Sequence, residues 1–280
     1  MKIRINGADA DIRPETEKTV GEILSALEAW LEGTGHRLSG LGIDGKTVAV
    51  DSMEVCFGMD IDTVDTLDVY TSSIMELLEE CLSHALEAID IYESADFEEK
   101  GLLAVRWHEG PAARLLAEQT PDLSSWITKT FSGEGSGPQA LRSMVDERLR
   151  ELRDPAGELD RLGVLVTEIC ARLEELPLDI QTGKDAKAAE TMGVFSSITE
   201  KVFRIFGVLK TGGFPIGEVK VGDVSVTDYI NEFHTALQDL LNAYEQQDSV
   251  LVGDIAEYEM APRLRGLHAA VWGAVKGNCQ

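Results

Sequence analysis

Residues 1–12, MKIRINGADADI, decide how the fold begins because they combine strand alternation with a turn signal. Ile3 and Ile5 alternate with charged residues before Asn6-Gly7, and apolar residues then return at every second position. An Asn-Gly pair between alternating segments favours a tight hairpin, since both central residues of a type I′ turn need a positive φ. The stretch therefore predicts two antiparallel strands.

A helix is predicted directly after this hairpin. Thr19 followed by Glu22 has the spacing of a capping box, in which each residue bonds the other's backbone N–H. Gly33 and Gly35 supply the stop signal. Between these signals, apolar residues recur on one helical face: Val20, Ile23, Leu24, Leu27 and Leu31.

A second turn pair, Asp44-Gly45, predicts another hairpin within residues 38–50, and TLDVYT at 66–71 predicts a fifth strand. The order hairpin, helix, hairpin and strand within residues 1–72 resembles the β-grasp fold of ubiquitin and of the ThiS-type sulfur carriers. The resemblance implies a small sheet with an exposed face that is used for protein contacts. An equally open alternative is a module that only packs on its own C-terminal domain.

Carriers of that family react through a free C-terminal Gly-Gly, which this chain lacks at the corresponding point. Here the last predicted strand runs through Ser72-Ser73 straight into a helical pattern. The resemblance therefore implies the fold and a contact surface, and the carrier chemistry has no group on which to act.

Residues 73–280 show helical periodicity nearly throughout, in wide apolar stripes that each require a partner helix. The first two stripes are Ile74, Leu77, Leu78, Cys81, Leu82, Ala85 and Ile89, and Leu162, Leu165, Val166, Ile169, Leu173 and Leu176. The other two are Phe195, Ile198, Val202, Ile205, Phe206 and Leu209, and Ile230, Phe233, Leu237, Leu240, Leu241 and Tyr244. We therefore predict an α+β protein with a β-grasp domain at 1–72 and an all-α helical bundle at 73–280.

Several segments are expected to interrupt the helices. Pro177 with Gly183 and the segment TGGFPIG at 211–217 are predicted breaks, and SGEGSGP at 132–138 is predicted to be a flexible linker. GEVKVGDVSV at 217–226 alternates about Gly222-Asp223, which predicts a short β-hairpin before the last helices. Trp30 and Phe203 are aromatic residues on helix faces. Trp30 is predicted to lie in the core. Phe203 lies off its apolar stripe and is predicted to face either a second neighbouring element or an exposed groove.

An internal repeat is seen when residues 73–106 are laid over 225–258, with identical residues at seven of 34 positions. The shared pattern Y-E-x-x-D-x4-G places Asp96 and Asp248 where one helix ends and the next begins, as expected for capping residues. Gly101 and Gly253 are expected to let two helices approach closely, and Pro111 and Pro262 to end or kink the returning helices. The fold class therefore includes a duplicated helical hairpin, flanking a middle one at 138–210.

The charge balance excludes some partner classes. The chain carries 50 Asp and Glu against 25 Lys and Arg, and it is net negative in each of the ranges 1–72, 73–131 and 132–280. Binding to nucleic acid or to an anionic membrane surface needs basic residues, so neither is expected.

No signal peptide or membrane span is seen, which predicts a cytoplasmic protein. The dispersed Cys56, Cys81, Cys170 and Cys279 are expected to be reduced and mostly buried.

The candidate binding face lies in residues 221–262, which contain nine acidic residues and no Lys or Arg. Three interpretations stay open: a solvated face, a docking surface for a basic protein, and a site for a hard cation, although no Ca²⁺-loop pattern is present. The residues assigned to a partner-binding face are Asp248, Asp254, Glu257 and Glu259.

No catalytic or cofactor-binding residue is predicted. Glu80 and His84 lie one turn apart without the further ligands of a di-iron site, and Trp107-His108-Glu109 places adjacent side chains in different directions. The five histidines are assigned to surface or packing positions: His36, His84, His108, His234 and His268.

The sequence therefore predicts a non-catalytic cytoplasmic protein that binds another protein through the open face of its sheet or through the acidic segment, with no cofactor. The alternative is an enzyme or small-ligand binder with its site in a cleft between the sheet domain and the helices.

Overall fold

A computed structural model describes residues 1–12, 14, 16–31, 33–49 and 53–278. The chain divides into two compact units, residues 1–145 and 146–280. The predicted division at 72/73 concerns a smaller sheet domain within the first unit and stays a prediction. In the described residues no helix is long and apolar enough to cross a membrane.

The first unit begins with a five-stranded mixed sheet. Its strands are β1 (Lys2–Ile5), β2 (Ala8–Asp9), β3 (His36–Ile43), β4 (Lys46–Thr47) and β5 (Thr66–Ser73), in the order β2-β1-β5-β3-β4. The β1 and β5 strands pair in parallel, and the other neighbours pair antiparallel. Both predicted turns are confirmed, because Asn6, Gly7, Asp44 and Gly45 all have positive φ values, between 49° and 81°.

Helix α1 (Val20–Leu31) packs on this sheet. The capping box is confirmed: the Thr19 hydroxyl accepts the Glu22 backbone N–H at 3.3 Å, and the Glu22 carboxylate accepts that of Thr19 at 3.3 Å. The predicted stripe of α1 is buried against Ile3, Leu41, Leu67 and Val69 of the sheet, among other residues. Trp30, predicted to be a core residue, is 65% exposed, because it lies about 80° around the helix from the centre of that stripe.

Strand β5 continues without a break into helix α3. A short helix α2 (Met53–Phe57) and a 3₁₀ turn (Ile61–Thr63) precede β5. Ser73 is both the last residue of β5 and the N-cap of α3 (Ile74–Ser94), with a complete capping box to Glu76. The predicted passage of the last strand directly into a helix is therefore confirmed.

Three further helices complete the helical part of the first unit: α4 (Phe97–Glu109), α5 (Pro111–Gln119) and α6 (Pro121–Phe131). The Phe131 ring of α6 packs on α3 and α4: its centroid lies 5.0 Å from that of Tyr92 and 5.7 Å from that of Trp107. Helix α7 (Pro138–Arg153) follows, and the boundary between the units falls within it.

The second unit is almost entirely helical. Its elements are α8 (Pro155–Gln181), α9 (Asp185–Thr211), β6 (Lys220–Val221), β7 (Val224–Ser225), α10 (Val226–Glu245), α11 (Ser249–Ile255), a π-helical segment (Ala256–Met260) and α12 (Ala261–Asn278). The predicted β6–β7 hairpin is confirmed.

Phe203 of α9 lies off the apolar stripe of its helix and packs edge-to-face on Phe233 of α10, with ring centroids 5.6 Å apart. Of the two predicted environments, it therefore has the second neighbouring helix.

The prolines act less uniformly than predicted. Pro111 does end α4 and begins α5. Pro177 does not break α8, because it lies near the C-terminal end of the helix, which continues to Gln181 before the positive φ of Gly183. Before Pro262 the helix changes to π geometry, and the N–H of Ala261 bonds to the carbonyl of Ala256.

The two segments of the proposed repeat share their capping residues. Ser73 and Ser225 cap α3 and α10, and Asp96 and Asp248 cap α4 and α11. Their glycines differ. An added Cβ at Gly253 would lie 3.1 Å from the Pro177 Cα, whereas one at Gly101 would meet no atom within 4 Å. The predicted approach of the two hairpin helices is therefore wrong at Gly101, which faces open space, while Gly253 does make a close approach, but to α8 and not to α10.

This difference predicts opposite effects of the same substitution. Gly101→Ala should stabilise the first unit by about 1 kcal/mol, since alanine gains helix propensity without a new contact. Gly253→Ala should destabilise the second unit by about 1 kcal/mol, because the new methyl group meets the Pro177 backbone. Urea unfolding of the full chain, followed by circular dichroism, measures both changes. Stabilisation by both variants would contradict the close contact at Gly253.

Candidate functional site

A cavity with a volume of about 1260 Å³ lies within the first unit. Its lining consists of residues of α1 (the α1 wall), residues 37–41 of β3 (the floor) and residues of α3 and α5 (the α3 wall). We call it the sheet–helix cleft. It occupies the place that the sequence suggested for a site between the sheet and the helices.

Apolar side chains form much of the inner surface of the cleft. Leu24 of α1 and Leu41 of β3 are buried, while Leu38, Leu77 and Leu115 are partly buried. Phe57 remains 43% exposed at the edge of the cleft. The cleft therefore presents an apolar floor to any molecule that enters it.

An ion pair between Arg37 and Glu118 joins β3 to α5 at this cleft. The Arg37 Nη1 donates to the Glu118 Oε2 at 3.0 Å, and the Nη2 donates to Oε1, so the contact is bidentate. The hydrogen bond from Arg37 lowers the pKa of Glu118, and the same bond raises the pKa of Arg37. The two side chains therefore stay charged and paired over the ordinary pH range.

The cleft is also lined by a thiol and an imidazole, and the thiol is not activated. Cys81 and His84 both line it, but burial raises the pKa of Cys81, which keeps the sulfur protonated and weakly nucleophilic. His84 stacks on Trp107 at 6.0 Å and lies 3.7 Å from Glu87. Glu80 also lines the cleft.

The other described histidines and cysteines are not among the lining residues of the cleft. His36, His108 and His234 are exposed, whereas the Nε2 of His268 is buried and lies 2.8 Å from the Leu159 carbonyl oxygen. Cys170 is buried but Cys56 and Cys81 are only partly so, which corrects the expectation of mostly buried thiols; Cys279 lies outside the described residues. Within the described ranges no group of three or more His, Cys, Asp or Glu side chains has a geometry suited to a metal ion.

The second candidate surface is the acidic hairpin, which we define as residues 226–260 of α10, α11 and the π-helical segment. Two of the four predicted acids have local structural partners: Asp248 accepts the Leu251 N–H at 3.0 Å, and Glu259 pairs with Arg263. The Glu257 carboxylate accepts a hydrogen bond from the Tyr258 hydroxyl and, with nearby Asp254, raises the pKa of that phenol.

The acidic hairpin also exposes large apolar side chains that the sequence pattern did not identify as a surface. They are 43–67% exposed: Leu241, Tyr244, Val250, Leu251 and Tyr258. Leu241 and Tyr244 were predicted to be core residues, yet only Phe233 and Leu240 of their stripe are fully buried. Leu241 directly follows the buried Leu240 and therefore points about 100° further around the helix. This difference in direction explains why Leu240 is buried and Leu241 is exposed.

A buried ionic cluster lies between α7, α8 and α9 in the second unit. Glu151 accepts two bonds from Arg204, at 2.8 and 3.1 Å, and Lys201 lies 2.8 Å from Glu158. Burial raises the pKa of Glu151 to about 7. Burial also favours the protonated form of Glu158, but the bonds from Lys201 and Arg161 outweigh it and lower that pKa.

Comparison with known proteins identifies relatives without a described activity. Residues 1–73 match a family model described as the TP0873 N-terminal domain, and residues 159–270 match one described as a domain of unknown function, DUF8042. An uncharacterized protein of Treponema pallidum (strain Nichols) is 23% identical over 267 residues, which cover 95% of this chain and 94% of that protein. No solved structure matches. These relatives give no sign of catalysis and assign no role.

The ionic cluster predicts a pH effect of defined sign. In the unfolded chain Glu151 loses its proton near its ordinary pKa of 4.5, whereas in the folded chain it keeps the proton up to about pH 7. The free energy of unfolding of the wild type should therefore fall as the pH rises from about 4.5 through 7. Glu151→Gln should remove this loss, on the order of 3 kcal/mol, which urea midpoints measured between pH 4.5 and 8 would show.

Glu158→Gln is the matched control, because the lowered pKa of Glu158 has the opposite sign. This variant should be less stable than wild type at pH 7, and the difference should shrink as the pH falls below the ordinary glutamate pKa. Parallel pH profiles for the two variants would contradict the assigned shifts.

Proposed function

We propose that this protein functions by binding another protein through the acidic hairpin, without performing chemistry. The observation that carries the proposal is the exposure of five large apolar side chains on a segment rich in acids. Large exposed apolar groups framed by polar residues are typical of protein interaction sites. The solvent exposure of Leu241, Tyr244 and Tyr258 supports this function over a purely solvated face.

The chemistry of the hairpin supports a partner with apolar anchors and basic residues around them. Residues 221–262 contain nine acids and no Lys or Arg, and the first cation after them, Arg263, is paired with Glu259. The proposed partner-binding acids Asp254 and Glu257 lie beside the exposed Tyr258. Complementary charge would speed association and set specificity, and the apolar contacts would slow dissociation.

The sheet of the first unit has, on our inference, the β-grasp fold. This is supported by the central parallel pair β1–β5, the strand order β2-β1-β5-β3-β4 and the packing of helix α1 against the sheet. Because β5 runs into α3, a carrier role is not part of the proposal, and the module contributes a scaffold and a surface. A cytoplasmic location and a basic partner stay predictions.

Site-specific photo-crosslinking tests the proposal. A benzophenone amino acid is placed at Tyr244 or Tyr258, and as a control at Val164 of α8, which is similarly exposed in the same unit. The two hairpin positions should capture one defined protein in cells of the source organism, and position 164 should not. The captured protein is then purified, and its affinity for the full chain is measured.

The variants Leu241→Ser and Tyr244→Ser should weaken that affinity at least tenfold, and high salt should lower the association rate. Val164→Ser should change little. Equal capture at all three positions, or full affinity of the hairpin variants, would refute binding through the acidic hairpin.

A further inference from the structure

We propose that the sheet–helix cleft of the first unit is a second docking site, which binds a short amphipathic helix with apolar residues on one face and Lys or Arg on its flanks. This proposal does not depend on the acidic hairpin, which belongs to the other unit. It rests on the size of the cleft, on the nature of its lining and on the charges along its two walls.

The length of the lining helix segments and the volume of the cleft match about two turns of an α-helix. The α1 wall extends from Gly21 to Glu28 and the α3 wall from Leu77 to His84, which at 1.5 Å per residue gives each wall a length of about 10 Å. A helix 10–12 Å across and this long occupies about 800–1,200 Å³. The cavity volume of about 1260 Å³ accommodates it and exceeds the usual range for small-molecule pockets, roughly 300–1,000 Å³.

The lining favours a helix over a small polar ligand. Small-molecule sites use a few precisely placed polar groups, whereas polar side chains of this cleft such as Glu22, Ser25 and Ser39 are exposed to solvent. Its inner surface instead offers leucines on both walls and on the floor, such as Leu24, Leu38 and Leu77. An amphipathic helix buries its apolar face in grooves of this kind.

The charges along the walls define the flanks of the occupant. Glu28 on α1 and Glu80 on α3 are exposed and belong to different walls of the cleft. Arg37, the arginine among the described lining residues, is already neutralised by Glu118. A helix lying between the walls would therefore be favoured by basic residues on both sides of its apolar face.

A fluorescent 14-residue peptide, with Leu at positions i, i+3, i+4 and i+7 and Lys elsewhere, is the probe. Fluorescence anisotropy measures its binding to the full chain. Ser25→Trp, which fills the cleft from the exposed face of α1, should weaken binding at least tenfold. The matched variant Ser125→Trp, on an exposed position of α6 outside the cleft, should bind within twofold of wild type.

Charge variants separate docking from general attraction to an acidic protein. The double variant Glu28→Lys with Glu80→Lys should weaken binding at least tenfold, whereas Glu134→Lys with Glu218→Lys, which changes the net charge equally, should not. Circular dichroism confirms that each variant is folded. A probe in which Glu replaces Lys should bind at least tenfold more weakly.

Three outcomes would overturn the proposal: equal affinity of Ser25→Trp and Ser125→Trp, equal affinity of the Lys and Glu peptides, or loss of binding on Tyr244→Ser instead. The last result would place the peptide on the acidic hairpin. It would leave the proposed function intact, so failure of the cleft and failure of the hairpin are distinguishable.

Discussion

The parallel pairing of β1 with β5 is the constraint on which the first unit depends. It brings Ile3 beside Leu67 and Ile5 beside Val69, and helix α1 packs over this apolar layer. The far end of β5 is held by β3, where His36 pairs with Ser73, and Ser73 caps α3. The direction of α3, and with it one wall of the sheet–helix cleft, therefore follows from the register of two strands that are distant in sequence.

Local sequence signals were sufficient to predict the turns and helix starts, because each of these signals depends on an interaction between residues close together in the sequence. The Asn6-Gly7 and Asp44-Gly45 turns, the capping box of Thr19 and Glu22, and the later hairpin at Gly222 all form within a few residues. The capping role of Asp96 and Asp248 was predictable for the same reason. These interactions need no knowledge of the rest of the fold.

The candidate surfaces were harder to predict, because exposure depends on which neighbour covers each face of a helix. Helical periodicity placed Leu241 and Tyr244 in one stripe with Phe233, but the buried face of α10 is Phe233, Ala236, Leu240 and Ala243, so the stripe is covered along only one edge. Trp30 shows the same effect at the edge of the α1 stripe. The acids Asp254 and Glu257 were visible in the sequence, whereas the apolar residues that make their surface a binding candidate were not.

The π-helical segment at 256–260 has a consequence for how this molecule can vary. A π turn contains one residue more than regular α-helix needs, and it leaves the following α12 rotated by about 100° relative to an uninterrupted helix. Met260, Leu264 and Leu267 point inward only in this shifted phase. Loss of one amino acid from the segment would therefore turn the hydrophobic side of the C-terminal helix toward water, so natural insertions and deletions should avoid it.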